Sequence, residues 1–278
     1  SPIFNLNHIN SIVLHDLETQ IPVRGIASLD WHIFGPLRLS ELNYNGSIQA
    51  QRIFLYEESI DRLFAEFESD VEKVNIVNSS LKKASSNAQI AGFIKKTGDL
   101  NVNLLASNLR SEESENLRQY IKNFKASMNV AASLEGKILE PSANIEVNLP
   151  NYAIGNREFQ KGKIDLLYSD EKIQIQSALF NDAFLLNTSK YLKDRNSIDL
   201  NAEFKSWDFT SIFGLISEGG DRDAYESNLN GKLSMSLNTR EPLQSELEIE
   251  LDAAKLAISD YFLELQEPML LEYKRGNV

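Results

Sequence analysis

Apolar and polar residues alternate along much of this chain with a period of two. The strictest case is S-E-L-E-I-E-L, where Leu247, Ile249 and Leu251 take one side and Glu246, Glu248 and Glu250 the other. A strand of that length spans roughly 23 Å and sends successive side chains to opposite faces, so one face is oily and the other anionic. Related segments occur at 29–33, 37–39, 47–55, 100–104, 126–134, 144–149, 163–167, 172–176, 198–204, 232–237 and 246–251. Turn signals separate many of them: Gly35-Pro36, Asn45-Gly46, Thr97-Gly98-Asp99, Asn230-Gly231 and Glu241-Pro242. Half-buried strands joined by short turns predict a mostly β, mostly antiparallel architecture.

Helical spacing is rarer. Leu117, Tyr120, Ile121 and Phe124 follow i, i+3, i+4, i+7 behind Glu112 and Glu113, predicting a helix over 115–124. A second is expected over 208–216, with Asp208 as N-cap and Gly219-Gly220 as stop. In 57–68, Ile60, Leu63, Phe64 and Phe67 also keep helical spacing, although A-E-F-E-S fits a strand equally. The pattern further recurs at intervals of about a hundred residues. Pro36, Pro141 and Pro242 lie 105 and 101 residues apart, each ahead of an alternating segment, and L-N-V-N-L at Leu100 matches I-D-L-N-A at Ile198, 98 residues on. The expected organisation is the end of a preceding unit at 1–26, full units at 27–123 and 124–224, and the start of a further one at 225–278. Chance alignment of β-rich sequence is the alternative.

Composition narrows the function. Lys and Arg number 28 against 40 Asp and Glu, a net charge of -12, which disfavours a general grip on nucleic-acid phosphates. Cysteine is absent, so disulfides, thiolate nucleophiles and Cys-ligated zinc are excluded. No stretch is apolar enough to span a membrane as a helix. The start, S-P-I-F-N-L-N-H, carries no Met and no signal-peptide pattern, so an internal piece of a longer protein is expected. On that expectation the missing targeting signals say nothing of location.

Candidate chemistry is sparse. His8, His15 and His32 fall early in the chain without His-x-x-x-His or His-Glu-x-x-His spacing. Paired carboxylates follow from the alternation itself and read as solvated faces. Gly219-Gly220-Asp221 reads as a connector, and no nucleophile elbow, phosphate loop or calcium loop is present. The sequon Asn187-Thr188-Ser189 has meaning only on a eukaryotic secretory route. No basic patch with interleaved aromatics marks a nucleic-acid site. The expectation is a protein that is not an enzyme and has no cofactor, no resident metal and no nucleic-acid partner.

The oily faces then carry the function. Ile48 and Ala50, then Leu100, Val102 and Leu104, belong to the first repeat. Ile145, Val147 and Leu149, with Ile198 and Leu200, belong to the second; Leu233, Met235 and Leu237, with Leu247, Ile249 and Leu251, belong to the third. Ordinary β-core packing accounts for any one of these positions as well as groove lining does. Stacked β units share one inward face, and if their sheet curls, its inside is a long apolar groove. Burying a methylene is worth roughly 0.8 kcal/mol, so an acyl chain laid there gains on the order of 10 kcal/mol before ordering costs. Lipid is the natural cargo.

The run L-N-G-K-L-S-M-S-L-N-T-R-E-P-L-Q-S-E-L-E-I-E-L, the following S-D-Y-F-L-E-L, and S-I-D-L-N-A-E-F-K-S-W-D-F-T-S-I-F-G-L-I together resemble the repetitive periplasmic region of TamB-like proteins of the AsmA-like superfamily. The resemblance covers most of 27–278 and lies in pattern rather than a fixed motif. It implies a taco-like β groove in a Gram-negative cell envelope, a parent anchored in the inner membrane, and phospholipid traffic between inner and outer membrane. It also implies a link to outer-membrane protein assembly with a β-barrel partner, through a part of the parent outside this sequence. Two rivals stand beside it. One is a structural or adhesive β-solenoid with a dry core; the other is a scaffold that binds outer-membrane strands by strand addition.

Overall fold

A computed structural model of the chain describes residues 3–6, 23–35, 43–121, 123–194, 196–210, 225–258 and 261–274. Every predicted period-two segment on those residues is a strand; the one at 37–39 lies outside them. The fold is mostly β, and every described strand pairing is antiparallel. Two compact units divide the chain, Ser1–Tyr120 with Met128–Ser142, and Ile121–Ser127 with Ala143–Val278. No described helix is long and apolar enough to cross a membrane.

In the first unit β1 (Ile3–Asn5), β2 (Val23–Phe34), β3 (Asn43–Leu55), β4 (Glu58–Ser69), β5 (Lys73–Lys83), β6 (Ser86–Lys95) and β7 (Asp99–Arg110) each pair with the next in sequence. β8 (Phe124–Lys137) and β9 (Glu140–Ile154) carry the chain between the units. The second unit continues strand to strand from β9 through β10 (Arg157–Ser169), β11 (Lys172–Leu179), β12 (Phe184–Tyr191), β13 (Ser197–Trp207) and β14 (Tyr225–Asn238) to β15 (Glu246–Ile258). Two short strands, β16 (Tyr261–Glu264) and β17 (Met269–Lys274), share the edge of β15.

The turn chemistry differs from the sequence expectation. Asn45-Gly46 and Asn230-Gly231 are not turns but lie inside β3 and β14. Glycine is there because a neighbouring backbone passes too close for a side chain: a Cβ at Gly46 would stand 2.3 Å from the Asp30 carbonyl oxygen, and one at Gly231 2.1 Å from that of Glu250. Two tight hairpins instead use Tyr56-Glu57, with φ 49° and 70°, and Asp170-Glu171, with φ 50° and 58°. Positive φ at both central residues is the geometry whose twist matches the flanking strands, and here side-chain-bearing residues adopt it.

Irregularities inside the strands recur. Asn108 near the end of β7 and Ser206 near the end of β13 have φ 54° and 49°, kinks that turn their N–H groups away from the regular ladder. Each is met by an asparagine side chain: Asn108 N–H donates to Asn129 Oδ1 at 3.2 Å, and Ser206 N–H to Asn230 Oδ1 at 2.8 Å. The donors lie 98 residues apart and the acceptors 101.

Each unit has its own packed core. Leu6, Ala27, Ala50 and Ile53 are buried in the first, with Val23, Ile48, Ile60 and Leu63 against them. The second is aromatic: Tyr152, Phe180, Phe204 and Trp207 are buried and contact Phe159 and Phe184 through stacked, tilted and edge-on rings. The Tyr152 hydroxyl accepts the Phe180 N–H, and burial pushes its pKa up.

Among the described residues helices are few, as expected, and the one predicted over 115–124 is shorter. A 3₁₀ turn at Ser111–Glu113 precedes α1 (Glu115–Tyr120), capped by Ser114, whose Oγ accepts the Leu117 N–H at 3.0 Å. The expected helix over 115–124 stops early because Asn123 takes φ 58° and Phe124 already opens β8. The segment 57–68 is a hairpin turn and strand: its helical spacing is coincidental, since Leu63 and Phe67 alternate onto one face and Phe64 onto the other. Asp208 accepts the Thr210 N–H at 3.1 Å, and the rest of 208–216, like His8, His15 and Gly219-Gly220, lies outside the described residues.

Gly231→Ala is expected to destabilise the second unit by about 1–3 kcal/mol, since backbone rather than a flexible side chain occupies the space its methyl group needs. A lowered urea midpoint checks this, and an unchanged one would show that β14 and β15 can separate there at little cost.

Candidate functional site

Register gathers the apolar residues of each unit onto one sheet face. In the first unit Ala50 lies opposite Leu63, Leu63 opposite Leu81, Leu81 opposite Ala88 and Ala88 opposite Ala106, an unbroken row from β3 to β7. Ile48 lies between Leu29 and Ala65 in the next row, and Leu104, Val102 and Leu100 face Ile90, Gly92 and Ile94. The five predicted positions of this unit therefore share a face.

The second unit is similar, but polar residues interrupt its rows: Thr188 lies between Ile175 and Leu200, and Ser177 between Ile164 and Leu186. Leu149, Val147 and Ile145 face Gly162, Ile164 and Leu166, and Leu166 faces Ile175. Ile198 and Leu200 face Leu237 and Met235, while Leu233 lies between Ala202 and Ile249. Met235 meets Leu247, and Leu251 meets Gly231. All eleven positions predicted for this unit also share one face.

Of the predicted lining residues only Ala50, Leu100 and Leu149 are buried; the others are half-buried. That is what an uncovered sheet face gives, because a second sheet packed about 10 Å away would bury them. Glu246, Glu248 and Glu250 are exposed on the opposite face. In the second unit that face carries a cross-strand row of Asp165, Gln176, Asn187, Asn201, Ser234 and Glu248. A surface depression of about 500 Å³ lies here, on the polar side, over Lys163, Ala178, Leu185, Glu203 and Lys232. Its charges are partly compensated already, Lys163 pairing with Asp165 at 3.1 Å and Glu146 at 3.3 Å.

Sequence reading missed Leu63, Ala65 and Phe67, hidden by their helical spacing, and also Leu81, Ala88 and Ile90. For β6 the signal was present in N-A-Q-I-A-G-F-I, where Ala88, Ile90, Gly92 and Ile94 alternate. In β5 an irregularity between Ile76 and Leu81 interrupts the alternation. The Ser79 hydroxyl bridges the interruption by accepting the Ile90 N–H and donating to its carbonyl.

At the β4–β7 end of the first unit, the segment between β7 and the end of α1 folds back over the strand ends. Lys83 Nζ pairs with Glu58 and with Glu115. Ser114 Oγ and the Asn116 N–H donate to Glu58 at 2.7 and 2.8 Å, and Ser59 Oγ donates to Glu115 at 2.9 Å. Asn116 Nδ2 donates to the Tyr56 carbonyl at 2.8 Å, and Ser85 and Ser86 hydroxyls donate to Glu113 at 2.7 and 2.9 Å. Burial works against ionisation of Glu58, but Lys83, the Asn116 N–H and Ser114 outweigh it and hold the pKa below the ordinary value. Lys83 is the chief reason that Glu115 is held well below the carboxylate range. For Lys83 burial is likewise overcome, by Glu115 and Glu58, and its pKa is raised.

Because both carboxyls titrate lower in the folded chain, their support for this end segment is complete above the ordinary value of 4.5 and is lost as pH falls through the folded values. Hydrogen-exchange protection of the Asn116 and Leu117 amides, corrected for intrinsic rate, is expected to stay level from pH 7 to 5 and to fall in more acid solution. Level protection down to pH 3 would show that the carboxylates do not hold the segment. Comparison with protein families, with curated proteins and with solved structures finds no match to this chain.

Proposed function

We propose that this chain is a section of a cell-envelope lipid-transport protein, in which the apolar β face curls into a taco-like groove and shields the acyl chains of phospholipid passing between inner and outer membrane. The observation that supports this reading is the apolar face of each unit: an unbroken Ala and Leu row from Ala50 to Ala106 in the first, and in the second half-buried Leu, Ile, Val and Met side chains interrupted only by single residues such as Ser177 and Thr188. Contiguous apolar surface of this kind is rare without a ligand or partner to cover it. At roughly 0.8 kcal/mol per methylene a hydrocarbon chain is a sufficient cover. A dry solenoid fits less well, since its inward residues would be buried by their own neighbours. The paired kinks at Asn108 and Ser206, each bracketed by an asparagine of the following strand, support the hundred-residue repeat. The periplasmic setting, the inner-membrane anchor of the parent and a β-barrel partner rest on the resemblance to TamB-like proteins.

Native mass spectrometry with lipid extraction tests the reading. Phospholipid is expected to accompany the purified protein. Ile249→Asp, which puts a charge on the apolar face, is expected to lower the lipid recovered by on the order of tenfold, equivalent to about 1.4 kcal/mol. Glu248→Lys, on the exposed face, is expected to leave folding and lipid content alone. Lipid-free wild-type protein, with Ile249→Asp folding as before, would remove the groove; loss of folding in Glu248→Lys would mean that the two faces have the opposite roles.

A further inference from the structure

The segment running from Ser111 to Tyr120 differs from the strands it crosses in how it is held. Its described attachments to β4, β5 and β6 are side-chain hydrogen bonds and ion pairs, centred on Lys83 between Glu58 and Glu115. α1 is six residues long, far below the length at which a helix persists by itself in water. Its conformation therefore depends on these tethers. Segments held this way open at a fraction of the global unfolding free energy.

Position gives the tether its interest. By alternation Lys83 falls on the same face as Leu81 and Ser86 on that of Ala88, while Glu58 lies two residues from Ile60, which packs with Leu63 against Ala50 and Ile53. Leu81 and Ala88 are the outermost apolar pair of β5 and β6 at this end, with Ile60 the outermost on β4, and Glu58, Lys83 and Ser86 lie just beyond them. The segment is thus anchored on the apolar side of the sheet, at the end of the face, by the polar residues that border it.

We propose that residues 111–120 form a strap closing one end of the apolar face of the first unit, and that breaking the Lys83 tether lets an acyl chain reach the face from that side. This inference rests on the lipid-shielding reading. Lys83 is what makes the closed state tolerable electrostatically: without it the Glu58 and Glu115 carboxylates face one another, beside Glu113, with no cation between them. High salt weakens the same attraction.

Lys83→Met tests the strap with two readouts. Trypsin cleavage after Arg118, within α1, reports opening without any lipid; uptake of a dansyl-labelled fatty acid reports access to the face. The variant is expected to be cut on the order of tenfold faster and to take up the probe faster at unchanged final occupancy. In the wild-type protein 1 M NaCl should accelerate both, and in the variant it should not. Asn116→Asp, which replaces the donor to the Tyr56 carbonyl with an acceptor and leaves the sheet untouched, should act in the same direction if Lys83→Met fails to fold. Unchanged cleavage overturns the strap, and faster cleavage with unchanged uptake overturns its gating role. Absence of uptake by both proteins, whatever the cleavage rate, overturns the lipid-shielding reading and the gate with it.

Discussion

Register is the constraint on which the rest of this structure depends. The apolar face exists only because each strand pairs with its neighbour at an offset that places Leu on Leu, Ile on Ala and Met on Leu through successive ladders. A slip of one residue in any pairing would send a whole strand's apolar set to the opposite side. Antiparallel connection between sequence neighbours makes that register local, since each short turn sets the pairing of the two strands it joins. Leu55 opposite Glu58 and Ser169 opposite Lys172 show the tightest form of this.

The kinks and in-strand glycines belong to the same constraint. A regular ladder cannot let a neighbouring backbone come as close as Glu250 does to Gly231, so the residue there carries no side chain. Where the kinks at Asn108 and Ser206 turn a backbone N–H out of the ladder, an asparagine of the next strand accepts it, and the sheet continues without an orphaned donor. The two packed cores sit among residues near the ends of strands: aliphatic around Ile53 in one unit, aromatic around Trp207 in the other. Between those cores and the opposite strand ends the apolar side chains stay half-buried, which is the feature that a lipid cargo would use.

Much of the fold was legible before any coordinates. Alternation in S-E-L-E-I-E-L and its relatives located strands correctly because side-chain period is a property of the single strand and needs no partner. The failures share a cause as well. Asn45-Gly46 and Asn230-Gly231 resemble hairpin turns, yet glycine also serves where two backbones approach, and nothing local separates the two uses. In β4, Ile60, Leu63, Phe64 and Phe67 satisfy a helical period while lying on a strand, because an eight-residue window with apolar residues on both faces fits either geometry. The expected lining positions Ile48, Leu200 and Ile249 were identifiable individually, but Leu63 and Leu81 became visible only through cross-strand pairing.

By itself the sequence determined the strand content, the alternation of oily and wet faces, the scarcity of helix and the absence of thiol chemistry, all of which follow from residue type and spacing within a few neighbours. Tertiary structure alone decided which apolar rows join into one face and which residues are buried at its ends. It also brought Lys83 to the strap, meeting Glu58 from 25 residues away and Glu115 from 32. Those are long-range matters. They depend on register and on which strand ends come together, and a strand's own residues carry no record of its neighbour's offset until the hydrogen bonds between them form.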